Sequence, residues 1–164
     1  MPTRYLKLTP EEIAEGIDFA RTEIDTKVVI LGHHYQRDDV IKYAEFTGDS
    51  YKLSKMAAQT KDAKWIIFCG VHFMAETADI LTSSDQNVLL PNMAAGCSMA
   101  DMAKSTDVTD CWDDIASVLG STASVNPITY MKSAAAINVP CGKKRGLVCP
   151  HSNAHNHFDW ASQP

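Results

Sequence analysis

Two rhythms of apolar and polar residues run along the chain. The first has helical spacing: Ile13, Ile17, Ala20 and Ile24 recur so that one face of a helix is expected to pack inward. Thr9-Pro10-Glu11-Glu12 opens that helix, with Thr9 as cap, Pro10 at the first helical position and Glu12 completing a capping box. The second rhythm is a series of short apolar runs, Val28–Leu31, Lys64–Gly70 and Asn87–Pro91, whose β-branched and aromatic content predicts strands. Between the first two runs, Asp38-Asp39 begins a short helix expected to reach about Phe46, with its acids at the positive end. Gly48-Asp49-Ser50 breaks that helix, and Ser50 is placed to cap the next one, from Tyr51 to about Gln59. Val71–Glu76 leads into a further helix ending near Leu81. Alternating strand–helix units predict an α/β fold, a three-layer α/β/α arrangement with a parallel sheet and right-handed connections.

Beyond the third strand, Ala94-Ala95-Gly96-Cys97 precedes a helix predicted to start near Ser98. From Asp107 the texture changes. Thr109–Leu119 reads as a polar-surfaced helix and Gly120–Ser124 as a loop. Val125–Met131 is a strand in which Pro127 marks the start or a sheet edge, Leu147–Cys149 a second short strand, and Asn153–Ala161 a final helix. Residues 1–106 are therefore expected to form a first α/β/α domain, and 107–164 an incomplete second one with too few strands for an ordinary sheet.

Composition narrows the class. Of the 164 residues, 45% are hydrophobic and 21% charged, the balance of a soluble globular chain. A net charge of -5 gives no electrostatic reason for nucleic acid or an anionic membrane as partner. No apolar stretch is long enough to span a bilayer, and Met1-Pro2-Thr3-Arg4-Tyr5 lacks the apolar core of a secretory signal, so a cytoplasmic location is expected. The five cysteines, Cys69, Cys97, Cys111, Cys141 and Cys149, include no C-x-x-C pair, which argues against a disulfide framework and a zinc ribbon.

The densest chemistry follows the first strand, in Leu31-Gly32-His33-His34-Tyr35-Gln36. Two imidazoles and a phenol at the C-terminal end of a buried strand stand where open α/β sheets bind ligands. Taken alone, the stretch is equally a solvated loop. Gly48-Asp49-Ser50 at a helix start could receive an anionic group, or be a plain cap. Cys97, just before a predicted helix, is placed for thiolate stabilisation, or is a free thiol under a cap. No glycine fingerprint of a dinucleotide or nucleotide-triphosphate site follows any strand.

Four blocks, Ile30 through Gln36, Gly48-Asp49-Ser50, Phe68 through Glu76 and Leu90 through Ala100, resemble the quinolinate synthase A family in order and spacing. The match is dense from about Val28 to Ala103 and patchier from Pro127 to Ala161. The resemblance implies three similar α/β/α domains around a central site and a 4Fe–4S cluster held by one cysteine from each domain, its fourth iron open to substrate. It implies condensation of iminoaspartate with dihydroxyacetone phosphate to quinolinate in NAD biosynthesis, with the iron as Lewis acid. A functional link to L-aspartate oxidase as supplier of iminoaspartate is also expected. Carried over residue by residue, Cys97 resembles the first cluster ligand, and Tyr35 the tyrosine that transfers a proton. His33 and Ser50 resemble residues that hold a substrate carboxylate or phosphate, and Tyr130 a substrate contact from the second domain. His72 receives no role, because the family more often has Asp or another polar residue there.

The chain departs from the pattern in three places. Lys132 stands where the family has Asn, which exchanges a hydrogen-bonding amide for a point charge. Cys149-Pro150-His151 stands where the family has Cys-Thr-Ser, and Pro150 removes a backbone N–H from that turn. The second and third cluster cysteines match nothing here, and one thiolate cannot hold a 4Fe–4S cluster, so this chain alone is expected to be inactive. Two rival readings follow: a degenerate, non-catalytic binding module, and a small zinc protein using Cys149, His151, His155 and His157.

Overall fold

A computed structural model describes residues 3–163, leaving the first two residues, the last one and the side chain of His151 outside the description. The Met1-Pro2 start therefore lies outside the described residues. Among the described residues, thirteen α-helices and β-strands follow the 3-10 turn Thr3–Lys7: α1 (Pro10–Ile24), β1 (Val28–His33), α2 (Asp38–Ile41), β2 (Phe46–Gly48), α3 (Ser50–Gln59), β3 (Trp65–Cys69), α4 (His72–Leu81), β4 (Asn87–Leu89), α5 (Ser105–Leu119), β5 (Ile128–Tyr130), α6 (Ala135–Lys143), β6 (Leu147–Cys149) and α7 (Ala154–Ala161). Among the described residues no helix is long and apolar enough to cross a membrane.

The first sheet is fully parallel with strand order β2-β1-β3-β4. It is the α/β/α arrangement that the strand–helix alternation predicts. Pleat alternation divides β1 and β3 between two faces. Val29, Leu31, Ile66 and Phe68 meet Leu53 and Ala57 of α3 and Phe73, Met74 and Ala78 of α4 in one apolar cluster. Gly32 points to the opposite face, where a Cβ would lie 2.4 Å from Ile41 Cδ1 and 2.9 Å from Ala44 Cβ. Only glycine lets α2 sit that close to the strand.

Four local expectations are corrected. The helix after Asp38 ends at Ile41, and Phe46–Gly48 forms edge strand β2 against Leu31–His33. Three residues are too few to show a period of two, so nothing in the local pattern marks this strand. The cap of α3 is Asp49, whose carboxylate accepts the Lys52 N–H at 2.9 Å, and Ser50 is the first helical residue. No helix starts at Ser98: the segment after Cys97 holds a single turn, Asp101 N–H to Cys97 O at 2.9 Å, and the next helix begins at Ser105. Of its apolar side chains only Ala100 reaches the core, too small an anchor to hold a longer helix in place.

The fourth correction concerns α1. Its capping box forms as expected, with Glu12 N–H donating to Thr9 Oγ1 and Thr9 N–H to Glu12 Oε2. Its apolar face does not pack inward: none of its residues is buried, and Ile13, Phe19 and Ile24 are exposed. Arg21 holds the helix to the body instead, donating to Tyr43 O at 3.0 Å and pairing with Glu45, which itself accepts the Ile30 N–H at 2.6 Å.

The second sheet has two parallel strands, β5 and β6, with Ile128, Thr129 and Tyr130 opposite Leu147, Val148 and Cys149. Helix α6 connects them. The sequence pattern does not mark this helix, because Pro140 and Gly142 lie within it. Gly120, with φ +69, ends α5 in the left-handed conformation. The two sheets communicate through α4, where Glu76 Oε2 accepts the N–H of Ala135 at 2.9 Å.

Candidate functional site

Every strand of the first sheet points its C-terminal end toward the same edge, and the chemistry-bearing residues collect there. The chain leaves β1 for β2 on one side and crosses back to β3 on the other. The resulting crevice between β1 and β3 is the ligand position of open parallel sheets.

His33 is the last residue of β1, and His34 and Tyr35 follow it. Their rings form one cluster. His33 and His34 stack with centroids 4.4 Å apart, and Tyr35 stands edge-on to both, at 4.9 Å and 4.3 Å. His34 is pinned to the neighbouring strand: its backbone N–H donates to Gly48 O at 3.2 Å and its Nδ1 to the same carbonyl at 2.9 Å. A carbonyl oxygen only accepts, so Nδ1 is the donor in this contact. Tyr35 is 82% exposed.

His33 is half-buried, and its pKa lies below the ordinary 6.5. Burial is the main cause, with the neighbouring His34 and then Lys132 adding to it, while Asp49 opposes them. His33 is thus a neutral imidazole near pH 7. Lys132 directly follows Met131, whose N–H donates to Cys149 O at 3.0 Å beyond the end of β5. The second sheet therefore brings a cation into range of the first sheet's imidazole. Lys132, Asp49 and His34 belong to this environment, although the family resemblance carried roles only onto His33, Tyr35, Ser50, Cys97 and Tyr130. Lys132 was legible only as a departure from a pattern, and its proximity to His33 is a tertiary fact.

Ser50 is buried at the start of α3, and its carbonyl accepts from Ser54 Oγ at 2.9 Å. The positive end of α3 already holds the Asp49 carboxylate, so an incoming anion there meets a resident negative charge. Tyr130 ends β5 and lines a groove beside Trp112, Ile137 and Pro140.

Cys97 lies in the loop after β4, two strands from β1, partly buried against the core cluster. Among the described residues no hydrogen bond or ring contact joins it to the His33–Tyr35 cluster. With no helix starting at Ser98, the expected helix-terminus stabilisation of its thiolate is absent. The loop itself is held to α4 by His72 N–H donating to Ala95 O at 2.8 Å. Cys69, at the end of β3, has its thiol pKa raised by burial. Among the described residues no group of three or more His, Cys, Asp or Glu side chains could hold a metal ion. A 4Fe–4S cluster needs at least three protein ligands, so the residues present do not by themselves fit one.

At the other end of the chain, Cys149 donates to Pro150 O at 3.2 Å and His157 donates from Nδ1 to Asn153 O at 2.7 Å. His155 is exposed, and the His151 side chain, one of the four ligands of the zinc reading, lies outside the described residues.

Comparison with known proteins matches residues 16–163 to the family described as quinolinate synthetase A protein. A quinolinate synthase of Acidobacterium capsulatum is 53% identical over 157 residues, which is 96% of this chain and 42% of that protein. One from Corynebacterium glutamicum is 48% identical over 161 residues, 98% of this chain and 41% of that protein. One from a Nocardioides species is 55% identical over 149 residues, 91% of this chain and 38% of that protein. The chain thus spans about two fifths of the length of these curated relatives.

Proposed function

The chain belongs to the quinolinate synthetase A family, and from that premise we propose that it contributes the first-domain half of a site condensing iminoaspartate with dihydroxyacetone phosphate to quinolinate. The observation that carries the reading is the His33–His34–Tyr35 ring cluster at the C-terminal end of β1 in a parallel sheet, with Tyr35 open to solvent.

In this reading Tyr35 moves a proton at its phenolic oxygen, to or from substrate bound above the crevice. Its ring contacts with His33 and His34 hold the phenol in place. His33, neutral near pH 7, donates one N–H to a substrate carboxylate or phosphate, and Ser50 is a second contact at the α3 start. Tyr130 and Lys132 close the site from the second sheet. Lys132 supplies a full positive charge, which suits substrates that are anions.

Cys97 is proposed as the one 4Fe–4S ligand this stretch contributes, the other ligands lying outside these residues; no step above passes through the cluster. Bound, such a cluster with an open iron would supply Lewis-acid polarisation of a substrate oxygen. Iminoaspartate must come from a reaction that oxidises an amino acid to its imine, which fits L-aspartate oxidase as supplier. A cytoplasmic location goes with this reading.

The test completes the chain with the remaining length of the Acidobacterium capsulatum relative and assays quinolinate formation anaerobically from both substrates. The expected result is turnover that falls by about 100-fold or more in Tyr35→Phe, with the fold unchanged because Tyr35 is 82% exposed. Absence of quinolinate from the unmodified protein would overturn the proposal, and an undiminished Tyr35→Phe would remove Tyr35 from it.

A further inference from the structure

Helix α6 begins without a cap of its own. Its N-cap residue is Ala134, which has no side-chain acceptor, so the first N–H groups of the helix must find partners elsewhere. One finds Glu76, a residue 59 positions earlier in the chain: Ala135 N–H donates to Glu76 Oε2 at 2.9 Å. The carboxylate sits at the positive end of α6, where its charge is stabilising. The other oxygen, Oε1, faces His72 Nδ1 at 3.8 Å on the same face of α4.

The consequence is geometric. Between the end of β5 and Ala135 lie Met131, Lys132, Ser133 and Ala134. This short segment is held at one end by Met131 N–H to Cys149 O at 3.0 Å, and within itself by Ser133 N–H to Tyr130 O at 2.9 Å. Glu76 fixes its other end to α4. One turn before Glu76, the start of α4 receives the Cys97 loop, through His72 N–H to Ala95 O at 2.8 Å. The N-terminal half of α4 thus anchors a loop from each sheet, and through them the segments that carry Tyr130, Lys132 and Cys97.

We propose that Glu76 is a positioning residue: it caps α6 across the two sheets and so holds the segment that carries Lys132 in place beside the His33 end of the first sheet. The role rests on the functional reading above only for its catalytic consequence. The latch itself is a property of the fold.

Hydrogen exchange on the 164-residue chain tests the latch. Glu76→Ala is expected to speed exchange of the amides of 132–137 about tenfold, the equivalent of losing a helix cap, while amides of β1 and β3 keep their rates. Glu76→Gln, which retains an acceptor oxygen, is expected to stay near the unmodified rate. Unchanged exchange in Glu76→Ala, or equal acceleration in β1 and β3, would overturn the latch. In the completed protein, Glu76→Ala is expected to raise KM for the anionic substrates about tenfold with kcat nearly unchanged, the signature of lost binding contacts, and Glu76→Gln to restore KM. A fall in kcat at constant KM would overturn the positioning role. If the unmodified completed protein makes no quinolinate, the functional reading fails while the exchange data still decide the latch.

Discussion

In the four-stranded sheet, Leu31, Ile66 and Phe68 are fully buried between strand and helix, whereas none of Ile128, Thr129 and Tyr130 in the two-stranded sheet is. Among the described residues, all but three of the buried apolar ones, Ile137, Cys141 and Cys149, belong to the first region. Both regions obey the same local rule, in which a strand, a helix and a parallel strand follow one another. They differ in neighbours. β1 and β3 each have a strand on both edges and α3 and α4 over the face that carries Val29, Leu31, Ile66 and Phe68, while β5 and β6 each have one partner and an open edge. Beside them an open groove of about 420 Å³ separates α5 from α6 and β5, lined by Trp112, Ile137 and Pro140 among others. A strand pair made from correct local sequence does not become a core until something lies on both sides of it.

The comparison breaks most visibly through the core. Phe68→Ala is expected to cost about 3–5 kcal/mol in urea unfolding, because its site is enclosed by α3 and α4. Ile137→Ala should cost nearer 2 kcal/mol, since its surroundings already open into the groove, and its effect on hydrogen exchange should stay within the second region. Equal losses from both, spread over the whole chain, would show that the two regions unfold as one unit.

A smaller effect tests the border between the regions. Asp49→Ala removes the α3 cap and is expected to lower stability by about 1 kcal/mol, read as a shift in the urea midpoint. The same change withdraws the one carboxylate that favours protonated His33, so the imidazole pKa should fall further below 6.5.

The smallest effect is the sharpest probe of how the regions meet. Because His33 is held below 6.5, the folded chain takes up its proton later than the unfolded chain on acidification. The stability tied to neutral His33 is complete above pH 6.5 and is lost as pH falls through that value toward the lowered pKa. Lys132→Gln removes one cause of the lowering, so the His33 pKa should rise toward 6.5 in an NMR titration, with well under about 1 kcal/mol of stability at stake. A His33 resonance that ignores Lys132→Gln would mean that the second sheet does not sit against the first in solution.

Periodicity, composition and short motifs were enough to determine the alternating α/β pattern, the capping box at Thr9, strands at Val28, Trp65 and Asn87, and the polar cluster after β1. Each of these depends on neighbours within a few residues, where spacing and side-chain type act directly. The family was legible for the same reason, since its motifs are contiguous blocks. Edge strand β2 pairs with β1 as its template, and α6, which contains Pro140, receives at its first N–H the Glu76 carboxylate from another helix. Ile13 and Ile24 show the converse: an apolar stripe at helical spacing stays exposed when the chain provides no surface to cover it. The lowered His33 pKa, the Lys132 charge beside it and the separation of Cys97 from the ring cluster were decided only by the tertiary structure. Electrostatics and burial act through space, and distances between residues a hundred positions apart are not written in the local pattern.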